Sequence, residues 1–221
     1  MITTPDLIKS LVANAVPVRR LRPPVARAVG WLLFAGLMLA LVAVAHGVRP
    51  DLELRLRQPV FIIGIAASLL TGVFAAIASF IASVPDRSRR WLLLPAPALL
   101  VWLATVGYGC LTAWVSIGPG GISLGETARC FATLVLVGAP LSLALLVMLR
   151  FAALLAPTPV AIAGSLAVAA MTSTALSLFH PLDETAMILM WNVGTAALLV
   201  ALGGLYGRRL FCWVAPRQTL V

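Results

Sequence analysis

Six stretches of this 221-residue chain contain no Asp, Glu, Lys or Arg: Ala28 to Val48, Val60 to Ser83, Trp91 to Trp114, Phe131 to Leu149, Val160 to Phe179 and Ala186 to Tyr206. Each is long enough to cross a bilayer core, which takes roughly 20 apolar residues in a helix. Within such a core every backbone N–H and C=O must be satisfied inside the segment, which leaves helices as the structure that uncharged runs of this length adopt. The expected fold is all-α: a polytopic bundle of six transmembrane helices. Composition agrees, at 62% hydrophobic and 10% charged residues, far from that of a water-soluble domain.

The first run has a small-x-small look at Ala43-Val44-Ala45, as at a signal-peptidase site. Its apolar length and the polar residues before it exceed those of a signal peptide, so it is read as a span.

The formal charge of +9 is a matter of topology before it is a matter of partners. With the N-terminus inside, the cytoplasmic segments carry Lys9, Arg19, Arg20, Arg22, Arg27, Arg87, Arg89, Arg90, Arg150, Arg208, Arg209 and Arg217. The outer segments carry only Arg49, Arg55, Arg57 and Arg129. Twelve basic residues against four follows the positive-inside rule and places both termini in the cytoplasm. No direct contact with nucleic acid is expected.

The chain then divides into a cytoplasmic segment, 1–27, a membrane domain, 28–206, and a tail, 207–221. The N-terminal segment is the one polar stretch long enough to act by itself. Thr4-Pro5-Asp6 has the form of a helix start, with Thr4 as N-cap. Leu7, Ile8, Leu11 and Ala15 recur at helical spacing, and Pro17 closes the stripe before a basic run. So short an amphipathic helix is marginal alone in water and needs a surface. Two are available, the anionic lipid of the inner leaflet and a groove on a partner protein.

Small residues at interface spacing (Gly64 with Ser68, Gly72 with Ala76, Gly203 with Gly207) allow close helix approach. Pro95, Pro97 and Pro140 are expected to break or kink the third and fourth spans. The chain has no phosphate loop, zinc-protease motif, nucleophile elbow or paired carboxylates at a membrane face, so neither an enzyme nor a cofactor is expected. At the outer face stand His46, His180, Cys110 and Cys130, the candidates for sensing. Two readings of them stay open: separate interfacial side chains, or a convergent patch that titrates near neutral pH or binds a soft metal. No resident metal is expected.

Several motifs stand in a fixed order against the spans. Asp6-Leu7-Ile8 comes first, then Pro17-Val18-Arg19-Arg20-Leu21-Arg22-Pro23-Pro24 before the first span and Arg49-Pro50-Asp51-Leu52 after it. Cys130 opens the fourth span, His180 precedes an acidic turn, Trp191-Asn192 lies in the sixth span, and Gly207-Arg208-Arg209-Leu210-Phe211-Cys212-Trp213 follows it. In this the chain resembles the negative regulator of sigma F family. The resemblance implies a bacterial inner-membrane anti-sigma factor whose N-terminus binds an extracytoplasmic-function sigma factor and releases it under stress. Carried over by residue, the partner-binding set is Asp6, Leu7, Ile8, Leu11, Arg19, Arg20, Leu21, Arg22, Pro23 and Pro24. The family often has a cysteine directly after the histidine of the last outer loop. Pro181 stands there, so a two-cysteine device would have to draw on Cys110, or on His180 with Cys130. The alternative function is a small six-helix transporter or channel, with Thr105, Tyr108, Ser142, Thr172, Ser173, Thr174 and Asn192 lining a polar path.

Overall fold

The computed structural model describes residues 3–13, 22–47, 49–84, 86–113, 124–149 and 157–179, with isolated helical residues at 197–198, 201–202, 205–206 and 209. All regular structure among them is helical: α1 (Thr4–Ala13), α2 (Pro24–His46), α3 (Leu52–Arg55), α4 (Pro59–Ala82), α5 (Ala96–Ala113), α6 (Leu124–Leu149) and α7 (Pro157–Phe179), with a 3-10 turn at Arg89–Leu93. Five segments are long and apolar enough to span a membrane, ending with Pro157–Phe179. The chain is an all-α membrane bundle. The sixth expected span, 186–206, lies almost entirely outside the described residues.

Proline and glycine set the helix ends. Pro24 and Pro59 occupy the first turns of α2 and α4, where a missing N–H costs nothing and the fixed φ suits the helix. α2 stops at Gly47, whose φ of +74° ends the ladder while its N–H still reaches the Ala43 carbonyl at 3.0 Å. Ser83 closes α4, and the Ser88 hydroxyl accepts from the Arg90 N–H to start the 3-10 turn. Pro95 stands between that turn and α5, and Pro97 falls in α5's first turn, so the expected break lies at the start of the helix rather than within it. α6 runs on through Pro140 without interruption.

Alternating helix direction gathers Pro24, Ala82, Leu149 and Pro157 at one face of the bundle, here the N-terminal face. His46, Pro59, Ala113, Leu124 and Phe179 gather at the other, the far face. α7 is the central helix, packed on α4, α6 and α2, while α5 lies against α4. Its buried residues are mostly small: Ala161, Ala163, Gly164, Ala167, Ala169, Ala170 and Ala175. In lipid, where apolar surface alone does not drive helices together, close backbone approach and interhelical hydrogen bonds do. A Cβ on Gly164 would collide with Leu145 of α6, and one on Gly72 would come within 3.0 Å of Met171. Ser79 Oγ donates to the Val160 carbonyl at 3.1 Å, and the Ser68 and Thr174 hydroxyls lie 2.8 Å apart, so α4 is bonded to α7 at two levels. Gly64 meets Thr105 of α5, while Gly203 and Gly207 fall outside the described residues.

Candidate functional site

The N-terminal segment forms its helix one residue earlier than its sequence suggests. Thr4 is already helical, and it is the Thr3 hydroxyl that donates to the Asp6 carboxylate, the spacing of a capping box. The described side chains of α1 all stand exposed, including Ile8 at 56% and Val12 at 70%. Leu7 and Leu11 lie on the same helix, with side chains outside the described residues. Ala15, Arg19, Arg20 and Leu21 lie outside them altogether. Arg22 and Pro23 are exposed, and Pro24 opens α2.

The expected first span begins at Ala28, with no charge inside it. The helix instead begins at Pro24 and takes in Arg27, which is 7% exposed. The charge is tolerated because it lies at the end of the bundle with partners in place. Its guanidinium donates to the Met148 carbonyl in the last turn of α6 and sits 5.3 Å from the centroid of the Phe80 ring. A helix C-terminus leaves carbonyls without partners and carries partial negative charge, so an arginine there answers both needs. One turn on, the buried Trp31 indole N–H donates to the Leu141 carbonyl at 3.1 Å.

A second buried arginine marks the far face. Arg49, two residues after α2's capping glycine, places Nε and Nη2 each 2.7 Å from the two oxygens of Asp51. Its guanidinium lies 5.9 Å from the Phe61 ring centroid on α4, and its backbone N–H donates to the Leu178 carbonyl of α7 at 3.3 Å. Arg55 adds a longer bond to Asp51 at 3.4 Å. The Arg49 guanidinium, bonded to both oxygens, is the main cause holding the Asp51 carboxyl down at about 2, against the opposing effect of burial. Exposed Arg57 and Glu53 pair at 3.4 Å, a surface contact of small consequence.

The sensing candidates stand at these points of the helix order. His46 is the last residue of α2, Cys110 lies near the end of α5, Cys130 lies early in α6, and His180 directly follows α7. Their side chains lie outside the described residues, as does any convergence among them. The Arg49–Leu178 contact joins the turn after α2 to the last turn of α7.

Three polar residues of the transport alternative bond along their own helices. Thr105 donates to Trp102 at 2.7 Å, Thr172 to Val168 at 2.8 Å and Thr174 to Ala170 at 3.0 Å. These are packing roles, and Thr174 also meets the Ser68 hydroxyl of α4.

Sequence reasoning assigns Arg27 to topology alone and Arg49 to topology and a motif, and gives neither a structural partner. An arginine placed directly against a span, or within Arg-Pro-Asp at a span's end, was the available signal.

The fold and these contacts define a helical membrane protein that carries an exposed N-terminal helix and fastens its first span at both ends. The sequence profile of the family described as negative regulator of sigma F matches residues 11–213, and the chain belongs to that family. Nothing among curated proteins or solved structures matches it.

Proposed function

We propose that this protein is a membrane-bound anti-sigma factor of the bacterial inner membrane. It holds an extracytoplasmic-function sigma factor on its cytoplasmic N-terminal segment and lets it go when an envelope, metal or oxidative stress acts on the far face. The observation that carries the reading is α1: a short helix with exposed Ile8 and Val12, set beside a basic run at the mouth of the first span, in a chain of the sigma F regulator family. So short a helix gains order by laying its apolar face in a groove, which is a common mode of recognition by amphipathic segments.

In this reading Asp6, Leu7, Ile8 and Leu11 supply the helix face. Arg19, Arg20, Leu21, Arg22, Pro23 and Pro24 supply charge complementarity and a stiff connection to the bilayer. Tethering to the membrane keeps the partner from RNA polymerase. Inner-leaflet lipid is the second partner, attracted by the same basic run. The charge distribution, twelve basic residues against four, supports a cytoplasmic N-terminus. Cys130, His180, His46 and Cys110 are the residues proposed to meet the stimulus, and no catalytic step is assigned.

The test is co-purification of the full chain, and of a chain lacking residues 1–25, with candidate sigma factors from the same genome. Capture by the full chain alone is the expected result. Absence of capture by either overturns the reading.

A further inference from the structure

The first span is fastened to different neighbours at its two ends. At the N-terminal face, Arg27 and Trp31 bond carbonyls of α6. Just past the other end, Arg49 bonds the Leu178 carbonyl in the last turn of α7. That contact is made by the Arg49 backbone N–H, and the side chains hold the turn that presents it. The guanidinium is buried, both Asp51 oxygens lie at 2.7 Å, Arg55 supports the same carboxylate, and the Phe61 ring lies beside the charge. An ion pair whose arginine is buried and whose carboxylate is part exposed adds little stability, since desolvation offsets most of the attraction, but it selects one arrangement over its alternatives.

α2 runs unbroken from Pro24 to His46 and joins the N-terminal segment directly through Arg22 and Pro23. An intact α-helix is nearly inextensible, so an axial shift at one end arrives at the other. Helix shifts of about 1–2 Å between two discrete packings are an ordinary switching device. In the fastened arrangement Ile8 and Val12 of α1 stand exposed.

We propose that Arg49 and Asp51 are positioning residues whose ion pair holds the turn that latches the first span to α7 through the Arg49 backbone N–H. The latched arrangement holds the sigma factor, and opening the latch at the far face lets it go. The proposal rests on the anti-sigma reading above. It places the switch in the Arg49-Pro50-Asp51 turn, just past α2, and not in the candidate sensing side chains.

The experiment measures sigma-factor capture by the full-length protein in detergent, with membrane abundance and a sigma-dependent reporter read in parallel. Arg49→Gln and Asp51→Asn, at wild-type abundance, are expected to lower capture at least about fivefold, the low end of ordinary coupling between sites, and to raise the unstimulated reporter. Asp51→Glu, which keeps the charge, is expected to stay close to wild type. Undiminished capture by Arg49→Gln and Asp51→Asn, while the chain lacking residues 1–25 captures nothing, overturns the latch and leaves the anti-sigma reading standing. Failure of the wild-type chain to capture any sigma factor overturns that reading instead.

The proposal can be tested without those variants accumulating. Arg49→Cys with Leu178→Cys, in a background with Cys110, Cys130 and Cys212 changed to serine, puts two thiols where a 3.3 Å backbone contact brings them within reach of a short bifunctional reagent. The joined protein is expected to retain the sigma factor and the unjoined protein to release it. Equal capture by the two overturns the latch.

Discussion

Trp31 gives the sharpest test of how the first span is turned within the bundle. It is fully buried between α2 and α6, whereas Leu33, two residues on, is 70% exposed on the lipid side. For a helix that unfolds while still in the membrane, lipid replaces protein around an apolar side chain, so water-transfer energies do not apply. What remains is the void and the lost hydrogen bond. Truncation of the indole to alanine leaves about 100 Å³ unfilled, and at roughly 24 cal/mol per Å³ that costs about 2.4 kcal/mol. Loss of the bond to Leu141 adds about 0.6 kcal/mol, the average for such bonds in membranes. Trp31→Ala should therefore cost about 3 kcal/mol, a factor of about one hundred in the unfolding equilibrium. Trp31→Phe keeps most of the volume and should cost about half as much. Leu33→Ala, which opens no void, should stay within about 0.5 kcal/mol. Reversible unfolding in mixed SDS and maltoside micelles, followed by helical circular dichroism, reads all three. A loss at Leu33 equal to that at Trp31 would refute this placement of α2, and equal losses for Trp31→Phe and Trp31→Ala would refute the void arithmetic.

Two further predictions follow from the hydroxyl pair and the far-face ion pair. A double-mutant cycle of Ser68→Ala with Thr174→Val, read by the same unfolding assay, should give a coupling of about 0.6 kcal/mol, and zero coupling would show that the 2.8 Å contact between α4 and α7 contributes nothing. Asp51, held at about 2 in the folded protein against about 4 unfolded, contributes stability that is complete above pH 4 and is lost as pH falls toward 2. The melting-temperature difference between wild type and Asp51→Asn should thus stay constant from pH 5 to 8 and close only in stronger acid. A difference that changes across the neutral range would overturn the assigned ion pair.

The spans were legible because a charge inside a bilayer is costly and its absence over some twenty residues is easily read. The helix positions bear this out for five of the six runs, and the sixth lies outside the described residues. What could not be read is what distant residues supply. Whether Arg27 lies beside the membrane or inside the bundle depends on Met148, 121 residues away, and on the Phe80 ring. Arg49 looks like one more outer charge until the Leu178 carbonyl stands next to it. Proline rules overstate the break in the third and fourth spans, since they describe local cost and take no account of position. Pro97 falls in a first turn where its missing N–H has no partner to lose, and α6 continues past Pro140. Thr3 rather than Thr4 meets Asp6 because the hydroxyl must stand three residues before its partner, a choice that two adjacent threonines leave open.

The small residues that let α7 fill the centre of the bundle also bear on how the protein is made. A helix built largely of alanine, glycine, serine and threonine gains less from lipid than α2, α4 and α6 do. Synthesis proceeds from the N-terminus, so α4, with Ser68, Gly72 and Ser79 in position, is already in the membrane when α7 leaves the ribosome. The most enclosed helix is thereby a late arrival that inserts against a waiting surface, and order of synthesis supplies what its own lipophilicity lacks.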